Sequence, residues 1–130
     1  MKFKYDISII IPSYNREKQI SRLLSSLVKQ IQNNIQIIIV DDGSTDGTKK
    51  ILQKYLNNNI KYFFIKNKER GFARNFGASK AKGEYLNFFD SDDISKNNHI
   101  IEAVNIIKKN QPDFFSFSYD IINPDNKVKR

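Results

Sequence analysis

Two rhythms of hydrophobic and polar positions alternate along the chain. Ile7 to Ile11 is a short β-branched run closed by Pro12, which cannot continue a central ladder, and it predicts a buried first strand. From Arg16 onward, Ile20, Leu23, Leu24, Leu27, Val28 and Ile31 recur at the spacing of one helix face. Ile35 to Val40 predicts a second buried strand. Ile51, Leu52, Tyr55 and Leu56 then predict a short helix capped near Thr45 or Asp46. A third strand is expected over Ile60 to Ile65, a weaker helix over Phe72 to Ala81, and a fourth strand over Tyr85 to Phe89. Ile100, Ile101, Val104 and Ile107 stripe a further helix, and a fifth strand is expected around Phe114 to Tyr119.

Strands and helices that alternate with short connections imply crossovers, a mostly parallel sheet and helices on both faces, hence an α/β three-layer sandwich. The 130 residues are one domain's worth of chain. The expected organisation is a domain over residues 1–122 followed by a polar tail over 123–130 that frays.

Composition narrows the chemistry. With 39% hydrophobic and 28% charged residues the chain is in the globular range. It has no cysteine and one histidine, His99, so thiol nucleophiles, disulfides and Cys- or multi-His zinc sites are excluded and any metal must take oxygen ligands. No stretch approaches the ~20 apolar residues that span a bilayer, and the first apolar run is too short for a signal peptide, so the expected address is the cytoplasm. The net charge of +8 invites a polyanionic partner. The basic residues are scattered singly and in pairs, however, and most aromatic residues sit in strand-like runs, so nucleic acid is not the expected partner.

In an open parallel sheet, ligands bind beyond the carboxyl ends of the strands. The residues there are Pro12, Ser13, Tyr14 and Asn15, then Asp41, Asp42, Gly43 and Ser44, then Asp90, Ser91, Asp92 and Asp93. Five carboxylates on one edge of a basic protein repel one another unless a cation shares the site. Oxygen ligands few in number suit Mg2+ or Mn2+ held jointly with substrate phosphates. Asp41 and Asp42 also fit ordinary turn chemistry, whereas three acids within four positions after an apolar strand point to function. Lys68, Arg70, Arg74, Lys80 and Lys82 flank the segment between the third and fourth strands, and Arg74 is the one chosen to meet a diphosphate or the acids. His99, alone on a helix, is expected to be structural or exposed.

The blocks Ser8 to Arg16 (SIIIPSYNR), Val40 to Thr48 (VDDGSTDGT), Gly71 to Gly77 (GFARNFG), Ala81 to Tyr85 (AKGEY) and Phe89 to Asp93 (FDSDD) together resemble family 2 glycosyltransferases, in order and in spacing. The resemblance runs from about Ile7 to Tyr119 and implies a GT-A fold. It also implies an inverting, metal-dependent transfer of sugar from a nucleotide-diphosphate sugar, a UDP-sugar first, to an acceptor hydroxyl in cell-surface glycan synthesis. Carried onto these positions, it implies that Pro12, Tyr14 and Asn15 line the nucleoside pocket, that Asp42 meets the base and that Arg74 lies near the nucleotide. It further implies that Asp90, Ser91 and Asp92 form the DXD motif. Ribose contact and metal coordination would be divided among Asp90, Asp92 and Asp93, with Asp92 the first choice as ligand to Mn2+ or Mg2+. Asp41 is counted with the nucleotide-sugar-binding residues as part of the acidic turn after the second strand.

The same resemblance implies a glycan or lipid-linked acceptor, and a basic surface could hold the protein at the inner, anionic face of a membrane. The family's catalytic base lies beyond the last residue of this sequence, so no base is nominated, and a donor-binding fragment without the acceptor half is the alternative expectation. The Gly71 to Arg74 segment is shorter than in many relatives. Dinucleotide-binding and P-loop readings fail because neither glycine signature follows any candidate strand. A nucleotidyltransferase would need a Gly-rich loop where Pro12 to Asn15 stands.

Overall fold

The computed structural model describes residues 2–66, 68–125 and 127–129. Four strands, β1 (Tyr5–Ser13), β2 (Ile35–Asp41), β3 (Ile60–Phe64) and β4 (Gly83–Phe88), form one sheet in the order β3-β2-β1-β4, and every pair is parallel. The connecting helices are α1 (Ile20–Val28), α2 (Thr48–Leu52) with a 3-10 turn at Gln53–Tyr55, and α3 (Arg70–Ser79), while α4 (His99–Asn110) follows β4.

Strand residues alternate between two cores because successive side chains point to opposite faces. Ile7, Ile9 and Ile11 of β1 and Ile35, Ile37 and Ile39 of β2 meet α1, α2 and α4 in the larger core. Ile38 and Val40 meet Ala73 of α3 in the smaller one, edged by Phe63 and Phe76. These are the three layers expected. α3 can lie this close because Gly77 presents no Cβ: one placed there would stand 2.6 Å from Ile10 Cγ2.

Three details differ from the sequence expectation. β1 runs through Pro12 to Ser13 rather than stopping at Pro12; its ladder with β4 has already ended at Ile10–Phe88, so on that side no donor is needed from the proline. The fifth strand around Phe114 to Tyr119 does not form. Phe115 and Phe117 turn inward against the larger core as a strand's would, but the segment packs through rings, on Tyr85 and His99, rather than pairing with a strand edge. The tail folds back on itself, with Ile122 bridging Val128 and the Asn123 N–H donating to Lys127 O at 2.9 Å.

Candidate nucleotide-sugar site

Because all four strands are parallel, β1, β2 and β4 deliver their C-terminal residues to the same edge of the sheet. A cleft of about 350 Å3 opens there. Its walls are Pro12 to Arg16 at and beyond the end of β1, Asp42 after β2, Glu69, Arg70 and Ala73 at the start of α3, and Asp90, Ser91 and Asp92 after β4. A larger hollow of about 1330 Å3 lies beside β4 and α4 under the 112–122 segment; its lining is richer in aromatic rings, and it lacks the residues after β1 and β2.

The turn after β1 is stitched to the turn after β2. Asn15 adopts φ 49°, a left-handed conformation that asparagine tolerates better than most residues. Its N–H donates to Ser44 Oγ at 2.9 Å, and its Oδ1 accepts the N–H groups of Thr45 and Asp46 at 2.8 and 3.3 Å. The Arg16 N–H donates to Thr48 Oγ1 at 2.8 Å, and Thr48 is fully buried. Held this way, Tyr14 remains 46% exposed at the cleft. Asn15 therefore spends its side-chain oxygen on the loop, not on a free edge of the cleft.

The two adjacent acids after β2 part company because strand positions alternate. Asp41 lies on the larger-core side, fully buried and absent from the cleft wall. Its Oδ1 accepts the Ser44 N–H at 2.9 Å and its Oδ2 the Tyr62 hydroxyl at 2.7 Å. Burial and this carboxylate hold the Tyr62 phenol far above its ordinary 10.0. In place of the contact with donor expected of Asp41, the geometry gives it a role in shaping the turn. Asp42 faces α3 and the cleft, and its oxygens accept the N–H groups of Lys68 and Glu69 at 2.6 and 3.0 Å. Those bonds fix the entry to α3, where Glu69 holds φ 120°, a conformation that costs a non-glycine residue about 1–3 kcal/mol.

All three acids of the turn after β4 are exposed. Asp93 Oδ2 accepts the Asp90 N–H at 3.0 Å, closing the turn, so Asp93 lies outside the cleft wall. Partial desolvation pushes its carboxyl above the ordinary value, opposed by the Asp90 N–H and assisted by the charges of Asp90 and Asp92. Asp90 and Asp92 line the cleft, half-exposed, and each has an arginine neighbour. Arg74 Nη2 meets Asp90 Oδ1 at 2.5 Å, and Arg16 Nη2 stands 3.9 Å from Asp92 Oδ2, beyond hydrogen-bond reach.

Of the residues expected at the nucleotide, Pro12, Tyr14, Asn15, Asp42, Asp90, Ser91 and Asp92 come together in the cleft, Arg74 reaches it through Asp90, and Asp41 stays behind it. Sequence reasoning gave no role to Arg16 or Glu69; the signal for Arg16 was its place directly after Tyr14-Asn15 at a strand end. Among the other cations considered, Arg70 joins the cleft wall, while the Lys80 ammonium lies over the rings of Phe63 and Phe76 at 5.9 and 5.2 Å. His99 opens α4 with its ring 5.4 Å from Phe89 and 4.6 Å from Phe117, a packing role as expected.

Among the described residues no three His, Cys, Asp or Glu side chains gather tightly enough to hold a cation unaided. Two outward carboxylates, one cleft and adjacent guanidinium groups fit a divalent ion shared with a diphosphate, the arrangement Mg2+ and Mn2+ favour. No helix among the described residues is long and apolar enough to cross a membrane.

Comparison with known proteins agrees with this geometry. The chain is 35% identical over 125 residues to WfgD of Escherichia coli, a UDP-Glc:alpha-D-GlcNAc-diphosphoundecaprenol beta-1,3-glucosyltransferase, an alignment covering 95% of this chain and 49% of WfgD. TarS 1-349 of S. aureus, solved in complex with UDP-GlcNAc, superposes with a TM-score of 0.76 at 36% identity over 82% of this chain and 32% of that one. The fold is shared with the mannosyltransferase PcManGT of Pyrobaculum calidifontis, solved with GDP-Man and Mn2+, at a TM-score of 0.73, 20% identity and coverage of 83% and 34%. The chain spans between 18% and 49% of the length of the curated relatives it matches. The family described as Glycosyl transferase family 2 matches residues 8–130, and with the sheet order, the cleft and these likenesses in agreement, the chain belongs to that family and carries its GT-A fold.

Proposed function

We propose that the chain is the donor-binding part of an inverting, metal-dependent glycosyltransferase. It takes a nucleotide-diphosphate sugar, a UDP-sugar first, and serves a glycan or lipid-linked acceptor in cell-surface glycan synthesis. The observation that carries this reading is the meeting, in one cleft, of an exposed aromatic ring (Tyr14), a capped carboxylate (Asp42) and two outward carboxylates (Asp90 and Asp92) beside arginines. The UDP-GlcNAc bound to TarS and the UDP-Glc named for WfgD favour uridine donors.

Each residue has a task that its chemistry allows. The Tyr14 ring offers a flat face to a base. Asp42 keeps lone pairs free beyond the two it gives to Lys68 and Glu69, and so can accept an N–H from the base edge. Asp90 and Asp92 would hold Mn2+ or Mg2+ together with the donor's diphosphate. The chemistry such a cation supplies when bound is neutralisation of the charge that builds on the leaving diphosphate. Arg16 and Arg74, which lean on those carboxylates, can turn to the phosphate oxygens with bidentate geometry. Attack of an acceptor hydroxyl oxygen on the anomeric carbon, from the face opposite the diphosphate, forms one C–O bond as the other breaks. The hydroxyl proton passes to a base, and the configuration inverts.

The test is isothermal titration of UDP, GDP and UDP-sugars into the purified chain, with and without Mn2+. We expect UDP to bind, to bind more tightly with Mn2+, and to lose that gain in an Asp92→Ala variant. A folded chain that binds none of these ligands under either condition overturns the reading. Binding without release of sugar from the donor marks the chain as a binding module that needs its acceptor half.

A further inference from the structure

The acidic turn is built on α1 as well as on β4. Arg22, Ser26 and Gln30 follow one another at intervals of four, so they share one stripe that runs along α1 and into the turn after it. All three reach the segment that begins at Asp92. Arg22 Nη2 donates to Asp92 O at 3.2 Å. Ser26 Oγ accepts the Ser95 N–H at 2.9 Å. The buried Gln30 amide donates to Ser95 Oγ at 3.0 Å and Lys96 O at 2.7 Å, and its Oε1 accepts the Ile100 N–H at 3.0 Å.

A buried glutamine satisfied at both ends is a costly way to fill space, since each of its polar atoms must find a partner. Here the partners are all backbone or side-chain groups within eight residues of Asp92, apart from the Ser26 carbonyl on α1 itself. The opposite flank of α1 behaves differently: Ser21 and Ser25 meet the Tyr55 hydroxyl and tie the helix to the 3-10 turn. β4 ends at Phe88, so beyond it the acids have no ladder to hold them, and the α1 stripe takes over.

We propose that Ser26 and Gln30 are positioning residues for Asp92: the stripe sets where its carboxylate stands at the cleft and so tunes the metal-dependent part of donor binding. The inference rests on the donor-site reading above. It makes the affinity for a nucleoside independent of the stripe and the gain from Mn2+ dependent on it.

The experiment compares the chain with Gln30→Met, Ser26→Ala and Ser26→Thr variants, titrating uridine, UDP with chelator and UDP with Mn2+. Amide hydrogen exchange at Asp90 and Asp93, which Gln30 does not touch, is followed in parallel. For Gln30→Met and Ser26→Ala we expect the Mn2+-dependent gain for UDP to fall by about tenfold, the lower end of what loss of an outer-shell partner costs a metal site, with uridine affinity unchanged. Exchange at Asp90 and Asp93 should quicken, and Ser26→Thr, which keeps the hydroxyl, should restore both readouts. Folded variants with the parent's Mn2+ gain and exchange rates overturn the inference, as does an equal loss for uridine and UDP, which would mark a general packing role. If Gln30→Met does not fold, the Ser26 pair decides. Should the parent fail to bind UDP at all, the donor-site reading falls, and unchanged exchange at Asp90 and Asp93 in the variants would separately show that the stripe does not hold the turn.

Discussion

Neighbouring residues of identical chemistry can have opposite fates, and Asp41 and Asp42 illustrate it. Both were legible as acids beyond a strand, but only Asp42 reaches the cleft. Asp41 is fully buried, and its charge is tolerable there because the Ser44 N–H and the Tyr62 hydroxyl each take one oxygen. Tyr62→Phe removes one of those donors and leaves a buried carboxylate oxygen unpaired, a defect worth about 1–3 kcal/mol. Urea denaturation should show that loss, and an unchanged midpoint would mean the bond contributes nothing. The same pairing logic applies at Asp93, whose Oδ2 accepts the Asp90 N–H and closes the turn.

For whole elements, the periodicities read along the chain were sufficient for α1, α4 and all four strands, because amphipathic spacing is a local property that burial then enforces. They failed for Phe114 to Tyr119. A strand was expected there, but a strand also needs a partner edge, which no local pattern encodes, and Phe115 and Phe117 pack inward without one. That segment closes over α4, where Phe117 and Phe89 enclose the His99 ring. Burial lowers the His99 pKa below its ordinary 6.5, with Glu102 opposing. The unfolded chain therefore binds the proton more readily, and this contribution to stability is complete above 6.5 and is lost as pH falls toward the lowered value. Urea midpoints between about pH 5 and pH 8 should fall on acidification in the parent and fall less in His99→Phe. Equal slopes in the two proteins would contradict the assignment.

At the scale of the molecule, the sheet among the described residues ends in β3 on one side and in β4 on the other, and β4 carries exposed apolar side chains. Leu86 and Phe88 are each 46% exposed on it, and Phe114 and Tyr119 nearby are more exposed still. An unpaired apolar edge promotes association in spite of the +8 net charge. Sedimentation velocity should show concentration-dependent self-association that a Leu86→Lys, Phe88→Lys double variant suppresses without altering UDP affinity, since neither residue lines the cleft. A parent that stays monomeric at all concentrations would count against this.

The sequence by itself determined the kind and succession of the elements from β1 to α4, the sheet's class and the edge at which the acids collect. Those follow from side-chain period and from turn residues, which act over a few neighbours. Only the tertiary structure decided which acids face the cleft, which arginines stand beside them, that the last aromatic run would find no strand to pair with, and that Arg22, Ser26 and Gln30 meet the acidic turn. Each of those outcomes depends on contacts between segments tens of residues apart, where burial, charge pairing and hydrogen-bond satisfaction are settled together.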